Sequence, residues 1–436
     1  MSRNDYYYPL NKEKSSSETS FWINLTAFAI ALISIWPYRI FVRGGGEVSL
    51  TYTLLVFAAV VTLSTVGLEF LFYRKNSPIG RLKVRRKLCL KRVFYREVAL
   101  LVTFLCIRIL YGLFPMFTYN DFKFIYFPFL DVLIPALIVL SIPYFCIMDK
   151  LDPEEEDIYC KIGYAITHFK KTTTKFDFCD YMRAWLVKAF WLSLMEPAMI
   201  GKLKWFVNYD PSFMEGNLIE VFWTANIICF FIDLSYAATG YWINFKAINT
   251  HTRSAEPTFF GWVVAIMCYW PFWDVLFYGM FFDYDANHKW LDTFQTGSFV
   301  WWLWFVIIIG LELIYALATV AGGIRFSNLT YRGLWNTGPY KFTKHPAYVT
   351  KNLSWWFISM PFIASDFKTG VVHCILLFGV NLIYYMRAKT EERHLSHYPE
   401  YVEYALEMNE KSIFRWTTKI LPFLKYKPLE EKDRIF

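Results

Sequence analysis

The sequence predicts an all-α fold: a polytopic transmembrane helical bundle of about ten spans that ends in a C-terminal helical hairpin. Three observations carry that prediction. Hydrophobic residues fill 56% of the 436 positions and charged residues only 19%, where a soluble domain of this size carries roughly a quarter charged residues. The apolar residues come in long runs, and a helix needs about 20 of them to cross the hydrocarbon core of a bilayer. The Lys and Arg residues gather in the loops between those runs. The net charge of +8 therefore points to anionic lipid surfaces and topology control, and away from nucleic acid.

Taken in order, the candidate spans cover about 21–42, 49–73, 98–118, 124–148, 182–206, 218–240, 259–281, 298–320, 348–366 and 370–387. Residues 1–20 form a polar tail that runs directly into the first full-length span, so no cleavable signal peptide is expected. The loop 74–96 holds ten Lys and Arg residues and no acid before Glu97, which places it in the cytoplasm by the positive-inside rule. Alternation then puts both termini and the loops 149–181, 241–258 and 321–347 on the cytoplasmic side. The loop 282–297 faces out, with Asp283, Asp285 and Asp292 against Lys289 alone. The 149–181 insertion opens with Glu154-Glu155-Glu156-Asp157 and reads as a solvated connection with a short surface helix. The eight cysteines are scattered with no CxxC pair, so neither a zinc site nor a disulfide framework is expected. A working division separates the tail 1–20, a bundle of about eight spans over 21–320, and a C-terminal region 321–436 with two spans and a cytoplasmic tail.

That C-terminal region carries the chemistry. Gly338-Pro339 is a turn signal just before Tyr340, and Lys344-His345-Pro346 follows, with Pro346 suited to the first turn of the next span. Lys341, Lys344 and His345 thus sit at the mouth of a helix N-terminus, where the helix dipole favours anions. Taken singly, the two lysines read as snorkelling, positive-inside residues. Glu391-Glu392-Arg393 leaves the last span and, taken singly, reads as a solvated helix end. The spacing joins them. Between Tyr348 and Met386 there is room for an out-and-back pair of spans, so the cationic and acidic clusters return to one membrane face. Tyr398, Tyr401 and Tyr404 then recur at intervals of three around Pro399. They either cap a pocket at the membrane surface or anchor the tail among headgroups.

The run Gly338-Pro339-Tyr340 through Lys344-His345-Pro346-Ala347-Tyr348 resembles the GPYxxxRHPxY signature of the isoprenylcysteine carboxyl methyltransferase family, whose superfamily includes membrane phospholipid N-methyltransferases. Glu391-Glu392-Arg393-His394-Leu395, with Tyr398, Tyr401 and Tyr404 beyond it, is similar to the family's EExxL…YxxY tail. Lys344 stands where the family pattern has Arg, and Thr350 where Gly is common; Lys keeps the charge but lacks the planar fork that grips a carboxylate bidentately. The resemblance covers about residues 320–415. It implies an integral membrane, S-adenosylmethionine-dependent methyltransferase acting on a lipid or lipidated substrate. Gly338, Tyr340, Lys344, His345, Pro346, Tyr348, Glu391 and Glu392 would form the cofactor site, and His345 and Glu391 would be the catalytic candidates. No metal is implied.

Two other readings fit a ten-span chain. An NADPH-dependent sterol-type reductase has a related C-terminal hairpin, but its Arg-His-x-Asn-Tyr signature is absent where Pro346 and Ala347 follow His345. A transporter or scaffold accounts for the acids inside predicted spans, Asp131, Glu196, Asp233, Asp274 and Glu312, each of which costs about 2.5–3.5 kcal/mol on insertion scales. Those acids are expected to face the bundle interior and pair, with Arg108 and Lys188 as candidate partners. No repeated broken-helix pair of the kind that marks a transporter is visible. His373, near the outer end of the last span, reads as structural.

Overall fold

The long apolar runs fold as helices, and the architecture is all-α. In the computed structural model the described residues are 17–47, 49–73, 84–114, 126–152, 154–169, 174–277, 281–284 and 289–429. Fifteen α-helices follow one another among them: α1 Phe21–Arg43, α2 Leu50–Phe72, α3 Leu90–Leu113, α4 Phe127–Leu151, α5 Ile158–His168, α6 Lys175–Asn208, α7 Leu218–Trp242, α8 Phe259–Ile266, α9 Phe272–Phe277, α10 Trp290–Thr293, α11 Phe299–Gly322, α12 Pro346–Ser359, α13 Phe367–Leu395, α14 Pro399–Lys411 and α15 Thr417–Ile420. The only strands among the described residues are two-residue pieces.

Six stretches are long and apolar enough to cross a membrane: Phe21–Arg43, Leu50–Phe72, Phe127–Leu151, Leu218–Trp242, Phe299–Arg325 and Phe367–Leu395. Their outward faces are apolar as well. Ile33, Leu63, Phe72, Val139 and Phe378 are each more than 60% exposed, a surface that water disfavours and hydrocarbon accepts. The chain is a helical membrane protein.

Several spans expected from hydropathy take a different form. The run 259–281 is not one helix: α8 stops at Ile266, a turn follows, and α9 starts after Pro271. Proline lacks the N–H that an unbroken helix needs and biases the residue before it away from helical angles. The run expected at 348–366 is the 14-residue α12, about 21 Å long at 1.5 Å per residue and short of a bilayer's hydrocarbon core. Met360 ends it in the left-handed conformation. The run expected at 370–387 continues to Leu395 as a 29-residue helix, so α13 carries Arg387, Glu391 and Glu392 beyond its most apolar stretch. The helix expected at 98–118 begins earlier, at Leu90, and residues 115–118 lie outside the described residues. Residues 182–206 fall inside the 34-residue α6. Of the outward loop's acids, Asp285 lies outside the described residues.

The chain divides into two compact units. One comprises Met1–Phe28, Tyr209–Ala237 and Glu256–Phe436; the other comprises Ala29–Asn208 and Ala238–Ala255. In the second unit, α3, α4, α5 and α6 enclose a core of Val93, Leu100, Phe104, Phe145, Ile162 and Trp185. The insertion after α4 does contain a short helix, α5, whose first turn is capped by the Asp157 carboxylate accepting from the Cys160 N–H at 2.9 Å.

The first unit carries the motif-bearing end. Its N-terminal segment braces the loop after α11: the Glu18 N–H donates to the Leu334 carbonyl at 2.9 Å, and Asn24 Nδ2 donates to the Val320 carbonyl at 2.9 Å. Gly323 has φ +55, and a Cβ there would lie 2.4 Å from the Asn24 amide, so only glycine fits. Helices α12 and α13 pack side by side, tied by Asn381 Nδ2 donating to Asn352 Oδ1 at 2.6 Å and Trp356 Nε1 donating to Asn381 Oδ1 at 2.8 Å. The amphipathic α14 buries Tyr401, Tyr404, Ala405 and Met408 against Tyr331 and Leu334.

Candidate functional site

In the motif region, sequence periodicity becomes geometry through two helix faces. On α13, Tyr384, Arg387, Glu391 and Leu395 recur at three or four residues and share one side. On α12, Tyr348, Lys351 and Trp355 do the same. These two faces, the segment 326–335, Tyr340, Tyr315 of α11 and Tyr401 with Tyr404 of α14 enclose a single cavity. It offers about 130 Å³ to the centres of water molecules, roughly ten water-sized sites at about 10–15 Å³ each.

The two motif ends meet in its wall. Tyr348 Oη donates to Glu391 Oε2 at 2.5 Å across 43 residues of chain. The other carboxylate oxygen, Oε1, makes no hydrogen bond among the described residues and keeps its acceptor capacity. The His345 ring stacks on Tyr348 with centroids 5.5 Å apart. Tyr404 Oη donates to the Tyr340 carbonyl at 2.7 Å, and Tyr331 stacks on Tyr398 at 3.8 Å. Of the two roles open to the tyrosine run, the capping one is therefore realised: Tyr401 and Tyr404 are buried in the cavity's lining. Burial pushes the Tyr340 phenol well above its ordinary pKa, so it stays a protonated donor.

Glu391 and Glu392 part company because neighbours on a helix point about 100° apart. Glu392 turns off the cavity wall and collects two ammonium groups and an imidazole: Lys344 Nζ at 2.7 Å, Lys389 Nζ at 2.8 Å and His345 Nε2 at 3.2 Å. Lys344 therefore lines the cavity with its ammonium already engaged. Burial lowers its pKa, and the Glu392 charge works against that shift. Five of the eight expected site residues line the cavity, namely Tyr340, Lys344, His345, Tyr348 and Glu391. Gly338, Pro346 and Glu392 stand behind it. Gly338 has φ +59, and a Cβ would come within 2.6 Å of the Phe21 ring. Pro346 opens α12 at its first position.

The sequence reading missed three cations in the lining, Arg332, Lys351 and Arg387. Arg387 reaches Asn328 Oδ1 at 2.7 Å and lies 3.4 Å from Tyr269 Oη, with its guanidinium 4.8 Å from the Tyr348 ring centre. Lys351 lies among four aromatic rings. The last two had a signal: Arg387 lies one turn before Glu391, and Lys351 is a lone cation in an apolar run. Tyr269 and Asn328 had none, since both come from segments far away in the chain.

The acids inside the apolar helices mostly bond neutral donors. Asn226 Nδ2 donates to both Glu312 oxygens at 2.9 Å, Trp242 Nε1 donates to Glu196 at 2.7 Å, and Thr319 donates to Asp233. Asp131 alone has the basic partner expected, Arg108 at 3.2 Å. These contacts fasten helix to helix; none of the five lines the cavity.

A comparison of the chain with protein-family models, with curated proteins and with solved structures finds no match.

Proposed function

We propose that the chain is an S-adenosylmethionine-dependent methyltransferase of the membrane, acting on a lipophilic acceptor at the cytoplasmic face. In this reading it has about ten membrane-embedded segments, both termini in the cytoplasm, and α12 with α13 as the cofactor-bearing hairpin of an isoprenylcysteine carboxyl methyltransferase-like protein. One observation carries it: Tyr348 and Glu391, from the two separate motifs, are hydrogen-bonded in the wall of one aromatic cavity.

The residues present fit the cofactor. Glu391 Oε1 is free to accept from an ammonium or a ribose hydroxyl. Tyr340, Tyr348 and Tyr401 offer ring faces for an adenine or for a cation. The cavity's roughly ten water sites suit a compact ligand that fills it. S-adenosylmethionine, when bound, supplies an electrophilic methyl group on a positively charged sulfur. The protein's part is to align and to exclude water, which accounts for much of the acceleration of such displacements without a metal. The aromatic cap of α14 does the excluding. An acceptor carboxylate or phosphate arrives ionised at pH 7 and asks for no general base; an amine acceptor would need His345 or Glu391 to take its proton.

Calorimetric titration of the purified full chain with S-adenosylhomocysteine, and separately with NADPH, tests the reading. S-adenosylhomocysteine binding that is lost in Glu391→Ala is the expected result. Binding of NADPH alone would favour the reductase, and binding of neither a transporter or scaffold; both outcomes reject the proposal.

A further inference from the structure

Beyond α14 the chain runs through 412–427 as a strap that is fixed at both ends. The Ile413 N–H and the Ser412 hydroxyl each donate to the Phe342 carbonyl at 3.0 Å. At the far end, both backbone groups of Tyr426 bond the Asn409 side-chain amide at 3.0 Å. Between these anchors the strap turns apolar side chains outward. Ile413, Trp416, Ile420, Leu421 and Phe423 are each more than 40% exposed, although none belongs to the six stretches able to cross a membrane. An apolar patch of this kind on a fixed segment marks an interaction surface.

The strap is also basic. Lys411, Arg415, Lys419, Lys425 and Lys427 fall between Glu410 and Glu430 with no acid among them. Lys411 is paired with Glu407. The other four are exposed, and none lies within ion-pair distance of a carboxylate among the described residues. Helix α13 sets the strap's level. The Phe423 ring meets the Tyr385 ring edge-on with centres 5.7 Å apart, and Tyr385 Oη donates to the Phe423 carbonyl at 3.1 Å. Tyr385 lies 18 residues beyond Phe367, the first residue of α13, hence about 27 Å along the axis. That nearly matches the roughly 30 Å of a bilayer's hydrocarbon core. Asp366 caps the start of α13, and Arg387 and Lys389 follow Tyr385. Tyr385 therefore marks the level where hydrocarbon gives way to headgroups, and Phe423 lies beside it.

We propose that the strap 412–427 lies along the bilayer surface and takes anionic phospholipid headgroups. Trp416, Ile420 and Phe423 enter the interface, and Arg415, Lys419, Lys425 and Lys427 meet the headgroup charges. Apolar side chains sink to the acyl boundary while the cations beside them stay among the headgroups. A zwitterionic surface offers those four cations no net counter-charge, whereas a phosphatidylserine surface does. Lys389, nearby on α13, is not part of the surface because Glu392 already holds it at 2.8 Å. The inference does not depend on any reaction at the cavity.

Hydrogen exchange, read by mass spectrometry on the full chain in nanodiscs, tests the proposal. One set of discs holds phosphatidylcholine alone, and the other holds equimolar phosphatidylcholine and phosphatidylserine. Strap amides are expected to exchange at least about fivefold more slowly in the anionic discs, while those of α5 exchange alike in both. High salt should remove the difference through screening. The combined variant Arg415→Gln, Lys419→Gln, Lys425→Gln, Lys427→Gln should lose it as well. Equal exchange of the wild-type strap in the two discs overturns the proposal, and that comparison needs no variant to fold. So does a difference that persists in the combined variant, or one that α5 shares, which would be a general effect of the lipid. Protection that sets in with rising protein concentration in lipid-free detergent would identify a second copy as the occupant, and overturns it too.

Discussion

The protein builds two cationic clusters on opposite principles. In the unit that contains α3 to α6, Arg92, Arg96 and Lys246 each pair with a carboxylate. Asp149 accepts from Arg92 Nε at 2.7 Å, from Arg96 Nη1 at 2.8 Å and from the Cys89 N–H at 2.8 Å; Asp157 takes Arg96 Nε at 3.0 Å. Lys246 reaches Asp152 at 2.9 Å and Glu154 at 2.8 Å. In the other unit, Lys351 and Arg387 face a cavity with rings and amides for company. A buried cation matched by its own chain holds the fold together.

Breaking the matched cluster should cost stability and nothing else. Arg96 is fully buried, and Arg96→Ala strands part of the charge of Asp149 and Asp157, a loss of about 3–5 kcal/mol for a broken buried pair. Thermal unfolding of the detergent-purified protein should show a large drop in midpoint. Arg387→Met should do the reverse: removing a charge with no carboxylate within ion-pair distance leaves the midpoint nearly unchanged or higher. A drop in Arg387→Met as large as that in Arg96→Ala would erase the distinction between the clusters.

The neighbours Glu391 and Glu392 repeat the contrast within one turn of helix. Glu391→Gln removes a charged acceptor from the cavity wall, and S-adenosylhomocysteine affinity should fall about tenfold to a hundredfold, the 1.5–3 kcal/mol of a hydrogen bond to a charged group. Glu392→Gln leaves Lys344 and Lys389 short of a counter-charge, so its main effect should be on the unfolding midpoint. Titration calorimetry and thermal unfolding on both variants decide it; interchangeable effects would contradict the separation of roles.

How much of this is visible in the sequence depends on how local the cause is. The three- and four-residue spacing of Tyr384, Arg387, Glu391 and Leu395 is helical and local, so their shared face is legible in the chain alone. The break between α8 and α9 is equally local, in Pro271, but hydropathy averaging absorbs it into a span. The different fates of Glu391 and Glu392 are not visible, because only their partners separate them and the partners come from residue 348 and residues 344–345. The acidic run at 154–157 reads as solvated. Glu155 and Glu156 are indeed exposed, but Asp157 is buried against Arg96, some 60 residues earlier, and nothing in either run announces the other. Asn328 and Tyr269 become site residues through folding alone.

A smaller effect tests the backbone that presents the motif. Gly338→Ala places a side chain on a residue at φ +59 and a Cβ 2.6 Å from the Phe21 ring. The left-handed conformation alone costs about 1–2 kcal/mol. The unfolding midpoint should fall by a few degrees, and cofactor affinity should weaken as the 338–345 loop shifts. An unchanged midpoint and affinity would mean that the loop's path is set elsewhere.

The smallest effect concerns Lys344, where the chain departs from the motif it resembles. Burial lowers its pKa from the ordinary lysine value of 10.5, although Glu392 opposes the shift. A group whose folded pKa is depressed contributes stability that is fully present above its unfolded pKa and is lost as pH falls through its folded pKa. Below 10.5 and above the folded value, the unfolded chain binds more protons at this site, so unfolding free energy from Lys344 rises with pH. In Lys344→Arg the guanidinium stays charged throughout, and that contribution vanishes. The difference in unfolding midpoint, wild type minus Lys344→Arg, should therefore grow as pH is raised from about 8 toward 10. A difference that is flat or that shrinks would mean Lys344 is as well matched as Arg96, and that the paired cluster and the cavity are less unlike than their geometry makes them.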